Sequence, residues 1–255
     1  MALKIGVFVD NLGRGIEEGL ALAGEWKVDC FQVYLTGGEM LAANMPAPAR
    51  ADFARRYADL GLELSATCGD FHLDFGDPEV MAEKEPQLKA AIEQTVDLGA
   101  SIMTTHIGAL GEDPDGSRRA TMVRTLKRLG DYAADHGVVL ATETGLESGE
   151  TLRDLLTEAD TRGIGVNFDP ANLVMMGFDH LQAVRDLRPF IVHSHAKDGK
   201  RGGGEQPLGS GDVDFPTYIA LMRELGYDGA YVIEREAGED PAADVAEDIA
   251  FLRTL

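Results

Sequence analysis

The chain has 255 residues, 44% of them apolar, so it is long enough to bury a sizeable core. It carries 44 acidic and 23 basic residues, a formal net charge of −21. This negative charge repels polyphosphates and argues against nucleic acid as a partner, although acidity alone mainly indicates solubility. No run of 18 apolar residues is present, so no association with membranes is expected.

The two cysteines, Cys30 and Cys68, lie in or at the end of apolar runs without CxxC spacing. We therefore expect two buried, reduced thiols and no disulfide. The N-terminal residues read as a strand that begins within four residues, without the pattern of a signal peptide. Together these features lead us to expect a cytoplasmic protein.

Eight short apolar runs alternate with helical patterns along the chain. They cover residues 5–9, 28–35, 62–67, 102–106, 138–143, 164–169, 191–195 and 230–234. Strands separated by helices are typical of βαβ units with a parallel sheet. Eight such units in about 250 residues predict an α/β fold, a single-domain (β/α)8 TIM barrel over residues 1–255.

The intervening segments have the periodicity of amphipathic helices. One apolar face has residues spaced three and four apart: Met122, Leu126, Leu129 and Ala133. Gly137 is predicted to end that helix. Asp214 is predicted to cap a later helix that Gly226 ends, and a last helix is predicted from about Pro241 to the terminus.

Residues 198–212 interrupt this rhythm with six glycines and few apolar residues. The segment follows the seventh predicted strand, so it belongs on the face of the barrel where active sites lie. Its composition fits a mobile lid that closes on a substrate, and equally a solvated loop. No Gly-Lys-Ser/Thr follows at the spacing of a phosphate-binding loop.

Four polar residues stand at the ends of four predicted strands: Glu143, Asp169, His195 and Glu234. The ends of barrel strands meet on one face, so these side chains are expected to converge there. Three carboxylates and one imidazole suit Mn²⁺, Mg²⁺ or Co²⁺, with Zn²⁺ also possible. Each residue alone could be a surface or capping residue, but the four together predict a site for one divalent cation.

Such a cation could polarise the carbonyl of a sugar and acidify the neighbouring C–H. A flanking carboxylate could then remove the proton, and another could return it elsewhere. His193 and Lys197 share the direction of His195, since alternate residues of a strand point the same way, and both are candidate substrate-binding residues. His106 ends the fourth strand and is a candidate for substrate or metal contact, as is His72 in a loop, although either could be structural.

Three distinctive motifs of the sequence are residues 165–173 (GVNFDPANL), 193–198 (HSHAKD) and 232–236 (VIERE). They are similar to the xylose-isomerase-like TIM-barrel superfamily, which includes sugar phosphate isomerases/epimerases and the family 2 AP endonucleases. The resemblance extends over the whole chain. These motifs are specific for the superfamily and only weakly indicate a substrate.

The resemblance implies particular roles for several residues. As in the ketose epimerases of the group, Glu143 and Glu234 would bind the metal, with Mn²⁺ favoured, and also act as acid and base. Asp169 and His195 would complete the ligand set. Arg201, six residues after His195, would hold the substrate, as would residues at two further matching positions: His106 and Lys197.

The sequence departs from the superfamily pattern at two places. Asn172 stands where many members have a histidine, and we treat it as a candidate substrate-binding residue. The endonuclease branch needs further Asp-x-His ligands after the seventh strand, but residues 200–205 read KRGGGE. A three-zinc DNA-repair site is therefore not expected.

These observations predict a metal-dependent isomerase or epimerase of a small sugar or sugar phosphate that works through an enediolate. A lyase of the same barrel, similar to an inosose dehydratase or an enzyme that eliminates from a 3-keto sugar, is the first alternative. A non-catalytic sugar-binding barrel is the second. The resemblance also implies a possible homo-oligomer, a dimer or a tetramer.

Overall fold

The computed structural model describes residues 2–111 and 116–255. Its centre is a closed barrel of eight parallel strands. The strands of the chain are β1 (Ile5–Phe8), β2 (Cys30–Tyr34), β3 (Glu63–Cys68), β4 (Ile102–Thr105), β5 (Val139–Glu143), β6 (Ile164–Phe168), β7 (Ile191–Ala196), β8 (Asp198–Gly199), β9 (Glu205–Gln206) and β10 (Tyr231–Ile233). Around the barrel their order is β1-β10-β7-β6-β5-β4-β3-β2, while β8 and β9 form a separate antiparallel hairpin.

Helices cover the outside of the barrel. They are α1 (Ile16–Glu25), α2 (Ala47–Asp59), α3 (Pro78–Asp97), α4 (Ser117–Asp135), α5 (Gly149–Ala159), α6 (Pro170–Met175), α7 (His180–Leu187), α8 (Phe215–Glu224) and α9 (Pro241–Leu252). Short 3-10 turns occupy Val9–Leu12 and Gly38–Met40. Because helices cover them, the strands are buried on both faces and read as continuous apolar runs.

The predicted (β/α)8 barrel is confirmed, with each of the eight predicted strands present. Several strands are shorter than predicted, β2 by three residues. The sequence interpretation missed that two helices follow β6. Gly177 has a left-handed backbone (φ 89°), and Asp179 then caps α7 through hydrogen bonds to two backbone N–H groups.

The helix ends predicted at Gly137 and Asp214 are also observed, whereas the last helix stops short of the terminus. Gly137 adopts φ 75° two residues after the end of α4, a conformation that glycine allows without strain. The side chain of Asp214 accepts a hydrogen bond from the N–H of Thr217 and caps α8. The last helix ends at Leu252, three residues before the terminus.

Residues 198–212 pack onto the barrel in this structure, and closure of the segment on a substrate stays a prediction. The buried carboxylate of Asp198 accepts hydrogen bonds from the backbone N–H groups of Gly209, Gly211 and Val213, at 2.9–3.1 Å. Glu205 of the hairpin pairs with Arg235, which follows β10. Asp198 therefore anchors the second half of the glycine-rich segment.

Cys30 and Cys68 are both buried and unpaired, as expected. Burial raises the pKa of the Cys30 thiol to about 12, so it stays protonated near neutral pH. Within the described part of the chain, no helix combines the length and apolar character needed to cross a membrane.

Candidate metal centre

The four predicted ligands come together at the carboxyl ends of adjacent barrel strands. Glu143 ends β5, Asp169 follows β6, His195 lies in β7 and Glu234 follows β10. One potential ligand atom from each lies within 4.8 Å of the others. His195 Nδ1 lies 3.3 Å from Glu234 Oε2, 3.7 Å from Glu143 Oε1 and 3.9 Å from Asp169 Oδ2.

One oxygen of Asp169 tests whether this cluster fits a cation. Asp169 Oδ1 accepts hydrogen bonds from the N–H groups of Ala171 and Asn172 and so caps α6. Its Oδ2 is buried, turned toward His195, and has no hydrogen-bond partner among the described residues. An unpaired buried oxygen is costly, and a divalent cation would satisfy it. The donor set therefore fits such an ion.

Without a cation, the imidazole of His195 supplies positive charge among the carboxylates. Burial alone would lower its pKa, but the carboxylates of Glu234 and Glu143 outweigh that effect and raise it well above the usual value. Burial also raises the pKa of Asp169. A cation that takes this place must displace the His195 proton, so its binding is expected to weaken at low pH.

Neutral amides hold the carboxylate of Glu143. Asn172 Nδ2 donates to Glu143 Oε1 at 2.9 Å, and Asn167 Nδ2 donates to Glu143 Oε2 at 3.2 Å. Asn172, predicted to bind substrate, thus lies beside the proposed acid–base residue. Its direct contact with a substrate stays a prediction.

The ammonium group of a lysine holds the carboxylate of the other glutamate, Glu234. Lys197 Nζ donates to Glu234 Oε2 at 2.8 Å and also contacts Glu236. Burial opposes the charge on Lys197, but the carboxylates of Glu234 and Asp169 outweigh it and raise the lysine pKa. Burial would raise the pKa of Glu234, but His195 and Lys197 lower it below its usual range. The two glutamates therefore sit in electrostatically different surroundings.

The remaining predicted substrate-binding residues take different positions. His193 is buried, with Nδ1 2.8 Å from Asn167 Oδ1, so it supports the residue that holds Glu143. His72 is exposed, and its backbone N–H donates to Asp70. The guanidinium of Arg201 donates to the carbonyl groups that follow α6, those of Gly177 and Phe178. Substrate contact by these three residues stays a prediction.

A cavity of about 480 Å³ opens beside this centre. Its polar lining includes Asp10, Tyr34, Thr36, Asp70, His72 and Glu236. The ring of Tyr34 lies 4.5 Å from that of Phe8, which is 6.0 Å from the ring of His195, centroid to centroid. None of the four ligands lines the cavity, which is related to His195 only through these two ring contacts, but it is large enough for a small molecule.

The sequence interpretation missed two polar residues that support the ligands, Gln32 and Asn167. Gln32 contacts His195, and Asn167 contacts Glu143. Each interrupts an apolar strand that is buried on both faces, a signal the sequence did contain. Asn167 also stands two residues before Asp169, which directs both side chains the same way.

The pair of His106 and Asp70 predicts a pH dependence of stability. His106 Nδ1 lies 2.9 Å from Asp70 Oδ2, and this hydrogen bond raises the pKa of His106 from 6.5 to about 9. The stabilisation is present below pH 6.5 and is lost as the pH rises through 9. The unscreened value would be about 3 kcal/mol. Because the side chain is 43% exposed, we expect about 1 kcal/mol.

Urea unfolding of the metal-free protein at pH 6 and pH 9.5 tests this prediction. The wild-type protein should lose about 1 kcal/mol more of its free energy of unfolding over this interval than His106→Gln. Parallel losses in the two proteins would show that the pair contributes no pH-dependent stability.

The structure defines the class of the protein as a closed parallel barrel with three carboxylates and an imidazole at its mouth, a cluster that fits a divalent cation. The family model described as "Xylose isomerase-like TIM barrel" matches residues 20–255. The chain belongs to this family.

Relatives of known activity fall into more than one reaction class. A ketose 3-epimerase from Arthrobacter globiformis is 24% identical over 78% of this chain and 72% of its own length. An L-ribulose 3-epimerase from Methylomonas sp. (strain DH-1) is 26% identical over 86% and 73%. An inosose dehydratase from Geobacillus thermodenitrificans is 28% identical, but the match spans only about half of either chain (48% and 47%).

The fold agrees closely with solved structures. A xylose isomerase domain protein from Planctomyces limnophilus superposes with a TM-score of 0.87 at 26% identity, covering 99% of this chain and 96% of that one. Together with these relatives, which include epimerases and a dehydratase, this likeness indicates an enzyme of the family.

Proposed function

We propose that the protein is a divalent-metal-dependent isomerase or epimerase of a small sugar. The observation that carries this proposal is the convergence of Glu143, Asp169, His195 and Glu234 around the unpaired Asp169 Oδ2. The epimerase relatives support the same reaction class. We favour Mn²⁺ as the native ion, with Mg²⁺, Co²⁺ or Zn²⁺ as alternatives, because the donors are mostly hard oxygens.

The two glutamates are placed to move a proton between two positions of a substrate. They come from β5 and β10, on either side of the strands that carry Asp169 and His195. When bound, the cation would polarise the substrate carbonyl and make the neighbouring C–H more acidic. One glutamate then removes that proton, and the other, which starts protonated, delivers its own proton to the opposite face or to the neighbouring carbon. Both glutamates regain their starting states by proton exchange with solvent. Lys197 and Asn172 keep the two carboxylates oriented.

The charges at the mouth favour a substrate without a phosphate group. The adjoining cavity is lined by the carboxylates of Asp10, Asp70 and Glu236. Lys197 is engaged by two glutamates, and Arg201 by two backbone carbonyl groups. The cations nearest this lining, His106 and Lys197, are already paired with Asp70 and Glu236, so the charge of a phosphate dianion would be left largely unpaired there.

We therefore expect a free ketose to have a kcat/KM at least about tenfold higher than that of its phosphate ester, a difference of about 1.4 kcal/mol. Added salt should narrow the gap because it screens the repulsion. Steady-state kinetics on both compounds at two ionic strengths measure this. Lys200 is exposed in the β8–β9 hairpin and is the cation that could instead bind a phosphate group. A preference for the ester that Lys200→Ala abolishes would show that the substrate is a sugar phosphate.

Exchange of substrate hydrogen with solvent deuterium tests the reaction itself. The protein is first depleted of metal with a chelator and then reloaded with one ion at a time. Incubation of the reloaded protein with ketoses in D2O should place deuterium on the carbon next to the carbonyl, whereas the depleted protein should not. Failure to exchange with every ion and every ketose or keto sugar tried would instead favour a sugar-binding barrel.

A lyase of the same barrel is the second candidate. The inosose dehydratase match favours it, because elimination also begins with removal of a proton next to a carbonyl. The two reactions differ in what leaves the substrate. A product that has lost water, or a cleaved glycosidic bond, together with deuterium exchange would identify the lyase. A stereoisomer or aldose–ketose isomer of the substrate would identify the isomerase or epimerase.

A further inference from the structure

A buried hydrogen-bond chain reaches across the barrel to the ring of His195. Gln32 of β2 is fully buried, and its Oε1 lies 2.9 Å from His195 Nε2. Gln32 Nε2 donates to Thr104 Oγ1 of β4 at 2.8 Å. Thr104 Oγ1 donates to the carbonyl oxygen of Thr67 at 3.4 Å. Gln32 thus joins β4 and β7, which are not neighbours in the barrel wall.

The direction of donation along this chain orients the amide of Gln32. Thr104 has one hydroxyl hydrogen and uses it on the carbonyl of Thr67, so toward Gln32 it can only accept. The Gln32 NH2 group therefore faces Thr104, and the amide oxygen faces His195. The hydroxyl of Thr67 does not compete for these atoms, because it lies 2.7 Å from Thr95 Oγ1.

The 2.9 Å contact of an amide oxygen with Nε2 favours a proton on that nitrogen. Asn167 Nδ2 lies farther from Nε2, at 3.3 Å, and about equally far from Nδ1, at 3.4 Å, so it does not select between the two nitrogens. Nδ1, the other ring nitrogen, is the atom that faces the three carboxylates at 3.3–3.9 Å. A neutral ring protonated at Nε2 presents the lone pair of Nδ1 to the site. Histidines that bind metals generally donate their other N–H to a partner that fixes the tautomer and the ring orientation.

We propose that Gln32, held by Thr104, is a positioning residue that fixes His195 as the Nε2–H tautomer and directs Nδ1 to the cation. This inference rests on the metal centre of the proposed function but on no particular substrate. With the amide reversed, its NH2 group would favour a proton on Nδ1 and remove the lone pair from the site.

Metal affinity of three variants tests this role. Gln32→Leu removes the acceptor at similar volume and should weaken Mn²⁺ and Zn²⁺ binding about 10–100-fold. Gln32→Glu keeps an acceptor opposite Nε2 and should restore the affinity to within about threefold of wild type. Thr104→Val frees the Gln32 amide to rotate, so its metal affinity should lie between those of Gln32→Leu and Gln32→Glu. If Gln32 only filled space inside the barrel, Gln32→Leu would bind metal as tightly as wild type.

Competition with a chelator measures these affinities, and the tautomer of His195 is read from long-range ¹H–¹⁵N spectra of the Zn²⁺-loaded protein. A proton on Nε2 supports the inference, while a proton on Nδ1 overturns it. Equal affinity in wild type and Gln32→Leu overturns the inference alone. If the wild-type protein bound neither Mn²⁺ nor Zn²⁺, both the inference and the proposed function would be wrong. Should Gln32→Leu not fold, Thr104→Val and the wild-type spectra decide.

Discussion

Replacement of Asp169 by asparagine should remove the metal site while leaving the barrel folded. The substitution keeps an oxygen that can cap α6, because asparagine is as good an N-cap as aspartate. It replaces Oδ2, the buried oxygen without a partner, by an uncharged group. Loss of a direct ligand should weaken metal binding by at least about 100-fold, since changes to residues behind a ligand already cost 10–100-fold. Catalytic activity should fall with it.

Unfolding with and without metal measures this effect. At a metal concentration of about 100 times the wild-type Kd, binding adds about 2.7 kcal/mol to the free energy of unfolding of wild type. For a variant that binds 100-fold more weakly, the gain falls to about 0.4 kcal/mol. Without metal, Asp169→Asn should be at least as stable as wild type, because burial makes the charged carboxylate unfavourable and raises its pKa.

Asp179 offers a matched control for this experiment. Its Oδ1 caps α7 through the N–H groups of Leu181 and Gln182, each at 3.0 Å, much as Asp169 caps α6. Asp179→Asn should leave metal binding and its stabilisation unchanged. If both variants lost metal equally, the loss would reflect general damage to the helix caps. If neither did, Asp169 would not be a ligand.

The ligands could be predicted because each stands where a buried strand ends. A parallel barrel brings all strand ends to one face, so position along the chain was enough to place Glu143, Asp169, His195 and Glu234 together. The strands themselves were visible as apolar runs because helices cover the sheet. These features depend on local pattern and on the closure of the barrel, both of which the sequence carries.

Features that depend on one side chain reaching a distant backbone were not predictable in the same way. Asp198 orders a glycine-rich segment by accepting hydrogen bonds from residues 11 to 15 positions further along. Arg201 turns to carbonyl groups exposed after α6, a helix that the sequence pattern did not separate from α7. Gln32 meets His195 across 163 residues of chain. In each case the partner is fixed by tertiary packing and not by spacing.

Changing each of the two glutamates to glutamine should have opposite effects on the two epimers of the substrate. Each variant should reduce kcat by about 10²–10⁴-fold when saturated with metal. With one epimer of the substrate, the variant that lacks the base should neither exchange nor convert. The variant that lacks the acid should still exchange hydrogen with D2O while conversion is lost. With the other epimer, the results for Glu143→Gln and Glu234→Gln should be reversed, because the glutamate that acted as the acid now acts as the base.

Mass spectrometry of deuterium uptake by both epimers, beside the rate of conversion, separates this scheme from a single-base mechanism. In the latter, one variant would lose exchange with both epimers and the other would keep it with both. Glu147→Gln serves as the control, since Glu147 lies after β5, accepts from the N–H of Leu110 and is no predicted ligand. It should convert and exchange like wild type. Full activity in both Glu143→Gln and Glu234→Gln would show that neither glutamate moves the proton.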